Sequence, residues 1–281
     1  MTRLLTSLII LALCGCATTP TQTAHALEVA GNRLFLSASV NGKPISALLD
    51  SAAEMSLADA TWAHENGLTV AGADVVKGSG GTADVAFAEN VALDTLGVHF
   101  DGMTVAVLDL SDISRRLVGH PVHFILGRDI FDKERLAIDI EGGTIAVADR
   151  SATPAGVGLP LIAARGIESF EVRVNGQTVD ADFDLGNGTE LLIGKALAAR
   201  LGLLDNPASL DIRKGGGIGG ERHRTIVRLA TLDIAGKTFR DVEAAIDEND
   251  TAGDLNVGVR VLRDFRITTD FEQRRIWLAP R

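Results

Sequence analysis

The chain has 281 residues, is 46% hydrophobic and carries a net charge of −10. It is too apolar for a disordered protein, and its acidity argues against binding nucleic acid, which requires basic residues to displace counterions. The two cysteines, Cys14 and Cys16, both lie near the N-terminus, so we expect neither disulfides nor cysteine metal ligands in the folded part. With no tyrosine in the sequence, chemistry that needs a phenol is excluded.

The first residues predict a signal peptide. Arg3 precedes an apolar run over residues 4–13, which is shorter than the ~20 residues that a membrane-spanning helix needs. Residues 13–16, Leu-Cys-Gly-Cys, resemble a bacterial lipobox. We therefore predict a lipoprotein signal peptide over residues 1–15, lipid attachment at Cys16, and a membrane-anchored protein on the periplasmic side. Ordinary cleavage after Ala26 is the alternative.

Residues 16–30 are predicted to form a flexible tether, because their first half is rich in Thr and Ala. Such a tether would connect the lipid at the membrane surface to the folded part of the chain.

The rest of the sequence contains an internal duplication. The dipeptide Asn41-Gly42 begins a segment that ends at Asp50, and Asn175-Gly176 begins a segment that ends at Asp184; nine residues separate the Asn from the Asp in both copies. Residues 124–131 are echoed by residues 255–262. We predict two related lobes, residues 31–150 and 159–281, joined by a linker over residues 149–158 and paired within one monomeric chain.

Each copy has the pattern of a mainly β lobe. Segments that alternate or run apolar predict strands, and the Asn-Gly pairs predict tight turns that join the first two strands of each copy. The predicted strands include residues 34–40, 83–93, 103–108 and 225–234. The predicted helices are short and cover residues 57–66, 128–134, 194–201 and 259–265.

Asp50 and Asp184 are the candidate catalytic residues. Each follows an apolar strand and enters a loop of small residues, and a pseudo-twofold axis between the lobes would bring the two loops together. Because two nearby carboxylates cannot both ionise freely, one holds a proton and the other does not. Such a pair can activate a water molecule for peptide hydrolysis by general acid and base catalysis.

The residues around both aspartates resemble those of the retropepsin-like and pepsin-like aspartic peptidases. Residues 48–53, Leu-Leu-Asp-Ser-Ala-Ala, resemble the Asp-Thr/Ser-Gly-Ala signature, and residues 183–188 resemble its second copy. Residues 125–127, Ile-Leu-Gly, resemble the apolar-apolar-Gly element under the catalytic loop. The resemblance implies two β-barrel lobes related by pseudo-twofold symmetry, a peptide or protein substrate, and catalysis by Asp50 and Asp184.

Each loop departs from the family signature at a different position. Ser51 keeps the hydroxyl that locks the two loops together in the family, whereas Leu185 lacks one. Gly186 keeps the following glycine, whereas Ala52 replaces it. Two hypotheses remain: an active aspartic endopeptidase of the cell envelope, or a catalytically inactive lipoprotein that binds peptides or envelope components on a degenerate protease scaffold.

Glycine-rich segments in the middle of each copy resemble the flaps that cover substrate in this family. Glycine suits the tip of a lid whose backbone must change conformation. Two such flaps resemble the retroviral arrangement, and mobile surface loops are the alternative. The predicted flap residues are Gly78, Ser79, Gly80, Gly81, Gly215, Gly216, Gly217, Gly219 and Gly220.

Two further patterns do not lead to a cofactor or a metal. Gly215, Gly217 and Gly220 match Gly-x-Gly-x-x-Gly, but a strand is predicted after them where a dinucleotide site requires a helix. His120 and His123 are three residues apart, but Pro121 prevents a helix from presenting both. We therefore predict neither a cofactor nor a bound metal.

Overall fold

The computed structural model describes residues 23–164, 166–205, 210–250 and 252–281. The predicted signal peptide and Cys16 lie outside the described residues. The fold is mainly β, with a few short helices, as predicted.

The elements are as follows. The strands are β1 (His25–Ala26), β2 (Glu28–Ala30), β3 (Arg33–Val40), β4 (Lys43–Leu49), β5 (Leu57–Asp59), β6 (Val70–Gly78), β7 (Gly81–Thr95), β8 (Val98–Leu108), β9 (Phe124–Leu126), β10 (Leu136–Asp139), β11 (Thr144–Val147), β12 (Val157–Pro160), β13 (Ile162–Ala164), β14 (Ile167–Val174), β15 (Gln177–Phe183), β16 (Leu191–Gly194), β17 (Asp211–Gly217), β18 (Gly220–Ile234), β19 (Lys237–Asp247), β20 (Leu255–Val257), β21 (Phe265–Asp270) and β22 (Arg275–Pro280). The helices are α1 (Ala60–Glu65), α2 (Ser111–Ile113), α3 (Arg128–Lys133), α4 (Lys195–Arg200) and α5 (Val259–Leu262), and a π-helical turn covers Ser114–Val118.

The two lobes have the same strand order. In lobe 1 the eight-stranded sheet runs β2-β3-β4-β9-β5-β8-β7-β6, and in lobe 2 it runs β13-β14-β15-β20-β16-β19-β18-β17. In each lobe an additional pairing, β3 with β7 or β14 with β18, curls the sheet onto itself. The agreement strand for strand shows that the duplication in the sequence is a duplication of the fold.

The Asn-Gly turns form as predicted in both lobes. Asn41 has φ of 48° and Gly42 of 76°, and Asn175 has φ of 48° and Gly176 of 82°. Positive φ at both central residues is the type I′ geometry whose twist matches that of the flanking strands. Each turn therefore sets the register of the strand that ends at an aspartate.

A third sheet, which the sequence did not predict, joins the lobes. Its order is β1-β11-β10-β21-β22-β12, so β10 of the first copy lies against β21 of the second, with Leu136 opposite Thr269. Two predicted boundaries also differ from the structure, because β1 and β12 belong to this sheet and β2 pairs with β3 of lobe 1. The tether predicted over residues 16–30 ends in strands β1 and β2, and the predicted linker ends in β12.

Two predicted helices are shorter than expected. The segment over residues 57–66 begins as strand β5, because Leu57 pairs with Ala106 and the helix starts only after Asp59. The Asp59 side chain accepts a hydrogen bond from the amide of Trp62 at 3.0 Å and so caps the helix. The segment over residues 259–265 ends its helix at Leu262, since Phe265 opens β21.

The hydrophobic core is continuous between the lobes. Phe131 of lobe 1 stacks on Phe271 of lobe 2 with ring centroids 5.1 Å apart, and Phe183 contacts the same ring edge-on at 6.5 Å. These three aromatic side chains are buried. Because Phe183 directly precedes Asp184, the shared core helps to fix where the aspartate loop of lobe 2 meets lobe 1.

Candidate active site

The strands place Asp50 and Asp184 at equivalent positions. β4 pairs in parallel with β9, and the Asp50 amide donates to the Leu126 carbonyl at 3.0 Å. β15 pairs in parallel with β20, and the Asp184 amide donates to the Val257 carbonyl at 3.1 Å. Residues 125–127, Ile-Leu-Gly, thus lie beside Asp50, as the sequence predicted, and the equivalent residues 256–258, Asn-Val-Gly, lie beside Asp184. Each segment holds its aspartate at the end of a buried strand.

Each aspartate is bound by the backbone of its own loop. Asp50 Oδ1 accepts from the amides of Ala52 at 2.9 Å and Ala53 at 3.2 Å. Asp184 Oδ1 accepts from the amide of Gly186 and from that of the next residue, both at 2.9 Å. The methyl group of Ala52 therefore leaves intact the hydrogen bond that the family glycine would make from the same position.

The two loops meet at the lobe interface. A Cβ atom on Gly186 would lie 2.3 Å from the carboxyl carbon of Asp50, so the second loop packs directly on the first aspartate. A glycine is required here because any side chain would displace that carboxyl group. The structure thus brings Asp50 and Asp184 together in one site, with both side chains partly exposed.

Ser51 links the loops across the interface. Its hydroxyl donates to the Phe183 carbonyl at 2.8 Å and accepts from the Leu185 amide at 3.0 Å. Ser51 is buried, at 3% exposure, so both hydrogen bonds are shielded from water. The single serine therefore engages a donor and an acceptor of the opposite loop.

Leu185 cannot make the reciprocal link, and the structure shows what it does instead. Its side chain is fully buried and belongs to the hydrophobic core. The position that carries a hydroxyl in the family signature has thus become a packing position. One half of the interlock is polar and the other half is apolar.

The environment raises the pKa of both carboxyl groups. Burial, followed by the neighbouring charge of Asp184, raises the pKa of Asp50 to about 7, against the opposing hydrogen bonds from its own loop. Burial also raises the pKa of Asp184, opposed first by a hydrogen bond from Asn256. At mildly acidic pH the site can therefore hold one proton on two carboxyl groups.

Arg33 is a charged neighbour of the pair that the sequence analysis missed. It is 5% exposed, and its Nη1 donates to the carbonyls of Gly31 at 2.8 Å and Leu117 at 3.0 Å. Burial lowers the pKa of Arg33, while the two aspartates act in the opposite direction. A signal was present: Arg33 lies 17 residues before Asp50, where the second copy has Ile167.

Asn256 is the second residue that was missed. Its Nδ2 donates to Asp184 Oδ2 at 2.7 Å. The sequence offered a signal here too, because Asn256 is the one polar residue in the three-residue strand β20, where the first copy has Ile125. The direction of the Asn256 side chain, however, follows only from the pairing of β20 with β15.

The predicted flap residues form the ends of two hairpins that touch. Strands β6 and β7 are joined through Ser79 and Gly80, and strands β17 and β18 through Ile218 and Gly219. The Gly80 amide donates to the Ile218 carbonyl at 2.9 Å. A Cβ atom on Gly80 would lie 2.2 Å from the carbonyl oxygen of Gly220, so only glycine permits this contact.

Arginines from the opposite lobe bind the carbonyl groups of each flap. Arg116 of lobe 1 donates to the carbonyls of Gly215 at 3.0 Å and Gly217 at 3.2 Å. Arg222 of lobe 2 donates to the Gly80 carbonyl at 2.8 Å, and Arg224 of lobe 2 to the carbonyl of the adjacent serine at 3.2 Å. Hydrogen bonds from the other lobe therefore stabilise each flap in this closed position.

The glycine pattern that could have indicated a dinucleotide site lies in one of these flaps. Gly215 and Gly217 are in β17, and Gly220 begins the 15-residue strand β18, which leaves no helix N-terminus for a phosphate. In the part of the chain that the structure describes, no three His, Cys, Asp or Glu side chains are grouped to hold a metal. Within the same residues, no helix has the length and apolar character needed to span a bilayer.

The comparison with protein families agrees with this geometry. The aspartyl protease family model matches the chain twice, over residues 36–130 and 170–261. The two matches together cover more than half of the sequence, one in each lobe, and each includes one of the two aspartates. The chain therefore belongs to the retropepsin-like aspartyl protease family and carries two fused lobes. Among curated proteins, a search found no match.

Proposed function

We propose that the protein is an aspartic endopeptidase that hydrolyses peptide bonds with a water molecule activated by Asp50 and Asp184. The observation that carries the proposal is the meeting of the two loops. Gly186 packs on the Asp50 carboxyl group, and Ser51 bonds the opposite backbone. Two carboxyl groups with raised pKa at one interface are the arrangement that general acid and base catalysis of hydrolysis needs.

In the first step, the ionised aspartate removes a proton from water while the water oxygen forms a bond to the peptide carbonyl carbon. The carbonyl π electrons move to the carbonyl oxygen, which takes the proton of the other aspartate. The product is a tetrahedral diol, and the two aspartates have exchanged protonation states. The pair carries one negative charge before and after this step. A second charge is therefore never required at a site where burial raises the pKa of both groups.

In the second step, the aspartate that received the water proton gives it to the peptide nitrogen, and the carbon–nitrogen bond breaks. The other aspartate recovers a proton from one hydroxyl of the diol as the new carbonyl forms. The products are a carboxylic acid and an amine, and both aspartates return to their starting states. The pair therefore turns over without a covalent intermediate.

The flaps would cover an extended peptide. In the closed position their tips are joined by the hydrogen bond between Gly80 and Ile218, and three arginines bind their carbonyl groups. Entry of a peptide requires these bonds to open, and a bound peptide backbone could then offer carbonyl groups to the same arginines. Lid closure of this kind also excludes bulk water from the reacting atoms.

The test is digestion of casein and of a peptide library, from acidic to neutral pH, by the wild type and by Asp184→Asn. We expect internal cleavage by the wild type and its loss in the variant. Asp180→Asn is the matched control, because Asp180 is an exposed carboxylate on the same strand, β15, and should retain full activity. Cleavage that survives Asp184→Asn would contradict the assignment of the pair.

The competing function is binding without hydrolysis on the same scaffold. The buried side chain of Leu185 favours it, because one half of the family's polar interlock is missing. If the wild type cleaves nothing at any pH but the library peptides bind and are retained, the binding function replaces the peptidase function.

We also propose that the protein is anchored to a membrane outside the cytoplasm through a lipid on Cys16. The sequence of residues 13–16 and the apolar run before it support this. Metabolic labelling with a fatty acid should mark the wild type, and Cys16→Ser should abolish the label while Cys14→Ser retains it. A label that survives Cys16→Ser would contradict the anchor, and the peptidase proposal would be unaffected.

A further inference from the structure

The two aspartates differ in what binds their outer oxygen atoms. Asp184 Oδ2 accepts a hydrogen bond of 2.7 Å from Asn256 Nδ2. Asn256 lies opposite Asp182 in the pairing of β20 with β15, and Ile125 lies opposite Leu48 in the pairing of β9 with β4. Ile125 is thus the equivalent residue of lobe 1, and its side chain has no hydrogen-bond donor.

A chain of hydrogen bonds fixes the orientation of the Asn256 amide. The backbone N–H of Thr189, which can only donate, bonds Asn187 Oδ1 at 2.9 Å. The Asn187 Nδ2 group therefore faces Asn256, and it donates to Asn256 Oδ1 at 2.8 Å. The Nδ2 group of Asn256 is left to face Asp184, so the amide presents a donor to the carboxyl group and not an acceptor.

This donor favours one protonation state of Asp184. The carboxyl group now accepts three hydrogen bonds, two on Oδ1 from the backbone and one on Oδ2, and each stabilises the ionised form. A proton on Oδ2 would meet the Nδ2 hydrogen. Asp50 accepts two hydrogen bonds, both on Oδ1, and no donor among the described residues reaches its Oδ2.

We propose that Asn256 is a positioning residue that keeps Asp184 ionised and leaves the shared proton on Asp50. The inference rests on the proposed peptidase function and deepens it. Asp184 is then the base that removes a proton from water, and Asp50 is the acid that protonates the peptide carbonyl oxygen. Each aspartate faces the other, and both face the charge of Arg33, which acts to lower the pKa of each.

The experiment is a titration of the two side-chain carboxyl groups by carbon NMR in the full folded chain, with the signals assigned from Asp50→Asn and Asp184→Asn. In the wild type, Asp184 should lose its proton first and Asp50 second. Asn256→Ile copies the residue of lobe 1. In this variant the midpoint of the first titration step should rise by about one to two pH units, because a hydrogen bond to a charged group is lost. The second step should stay in place.

Two further variants separate positioning from a structural role. Asn187→Ala removes the group that orients Asn256 and should move the first step in the same direction by a smaller amount, even if Asn256→Ile does not fold. Ile193→Val alters a buried residue of β16 that pairs with β20. It should lower thermal stability without moving either titration step.

The outcomes are distinct from those of the cleavage test. If no peptide is cleaved and the titration is as expected, the peptidase function fails and the role of Asn256 stands. If Asp50 loses its proton first in the wild type, or if neither Asn256→Ile nor Asn187→Ala moves the first step, the role of Asn256 is overturned whether or not peptides are cleaved. In an active enzyme, the acidic limb of the pH profile of kcat/KM should move with the first titration step.

Discussion

The two lobes have the same strand order but contribute different groups to the site. Lobe 1 supplies Ser51, whose hydroxyl bonds the opposite backbone twice. Lobe 2 supplies Gly186, which lets its loop approach Asp50, and Asn256, which bonds Asp184. The corresponding positions of the other lobe are apolar. Because both copies are always present in the same molecule, a duplicated chain needs each of these supporting groups in only one of its two lobes.

This comparison explains why the departures from the family signature do not separate the loops. In a site built from two identical halves, a change to leucine would remove both hydroxyl links. In this chain one link remains, and Leu185 contributes packing in place of the other. If the two lobes are this unequal, equivalent substitutions in the two copies should have unequal effects.

The largest effect is expected at the glycine that faces Asp50. Gly186→Ala places a methyl carbon 2.3 Å from the Asp50 carboxyl carbon, so the carboxyl group must move by about 1 Å, and a misplacement of that size costs about 100-fold in rate. The equivalent change in lobe 1, Ala52→Gly, should alter kcat/KM less than about threefold. Steady-state kinetics on a common peptide measure both. Equal losses of kcat/KM in the two variants would show that both loops contact the catalytic carboxyl groups in the same way, which would contradict the account.

Ser51→Ala should destabilise the protein by about 2 kcal/mol. The substitution leaves the buried Leu185 N–H and Phe183 C=O groups without their partner, and unsatisfied buried groups cost about 1–3 kcal/mol each. Ser46→Ala, at an exposed position of β4, the strand that precedes the loop of Ser51, should change stability by less than about 0.5 kcal/mol. Chemical denaturation measures the difference. A Ser51→Ala protein as stable as the control would show that the Ser51 hydroxyl does not stabilise the contact between the loops.

The stability of the wild type should fall as pH rises from about 5 to 7. The pKa of Asp50 is raised to about 7 in the folded protein, so in this window the folded state holds a proton that the unfolded state has released. The contribution is present below the ordinary pKa of an aspartate and is lost as pH passes through the folded value.

Comparison with Asp50→Asn isolates this contribution, since the asparagine does not titrate. The free energy of unfolding of the wild type, relative to that of the variant, should fall by at most about 1.4 kcal/mol per pH unit between pH 5 and 7. Parallel curves for the two proteins would show that Asp50 holds no proton there.

The smallest effect is expected at the flaps. Arg116→Met keeps the aliphatic part of the side chain but removes the donors to Gly215 and Gly217. Amide hydrogen exchange should then accelerate by about threefold to tenfold in the lobe 2 flap, because the partly exposed guanidinium is screened by solvent. Arg115→Met, at the exposed neighbouring position, is the control. Equal acceleration in both variants would show that Arg116 does not hold the flap.

The sequence was sufficient to predict the duplication, the two aspartate loops and the Asn-Gly turns, because each depends on residues that are close in the chain. The sheet between the lobes was not predictable in this way. β10 and β21 are short and lie more than 120 residues apart, and no local pattern records their pairing. The ends of the predicted tether and linker also form strands through distant partners, since β1 pairs with β11 and β12 pairs with β22.

The site was predictable in part for a related reason. Asp50, Asp184, Ser51 and Gly186 stand out because both copies can be aligned with a signature. When the two copies are aligned, Asn256 and Arg33 differ from the isoleucines at the equivalent positions, but this difference alone does not indicate a role. Their importance depends on side-chain direction, which the pairing of β20 with β15 and the packing of Arg33 between the lobes determine.

The most direct test of the central claim, that two unlike lobes form one catalytic pair, is a double-mutant cycle on Asp50 and Asp184. The measurement is kcat/KM for the wild type, Asp50→Asn, Asp184→Asn and the double variant on one peptide. If the residues act as a unit, each single variant should lose nearly all activity and the double variant should be no slower than either. A single variant that retains most of its activity, or losses that multiply in the double variant, would contradict the account.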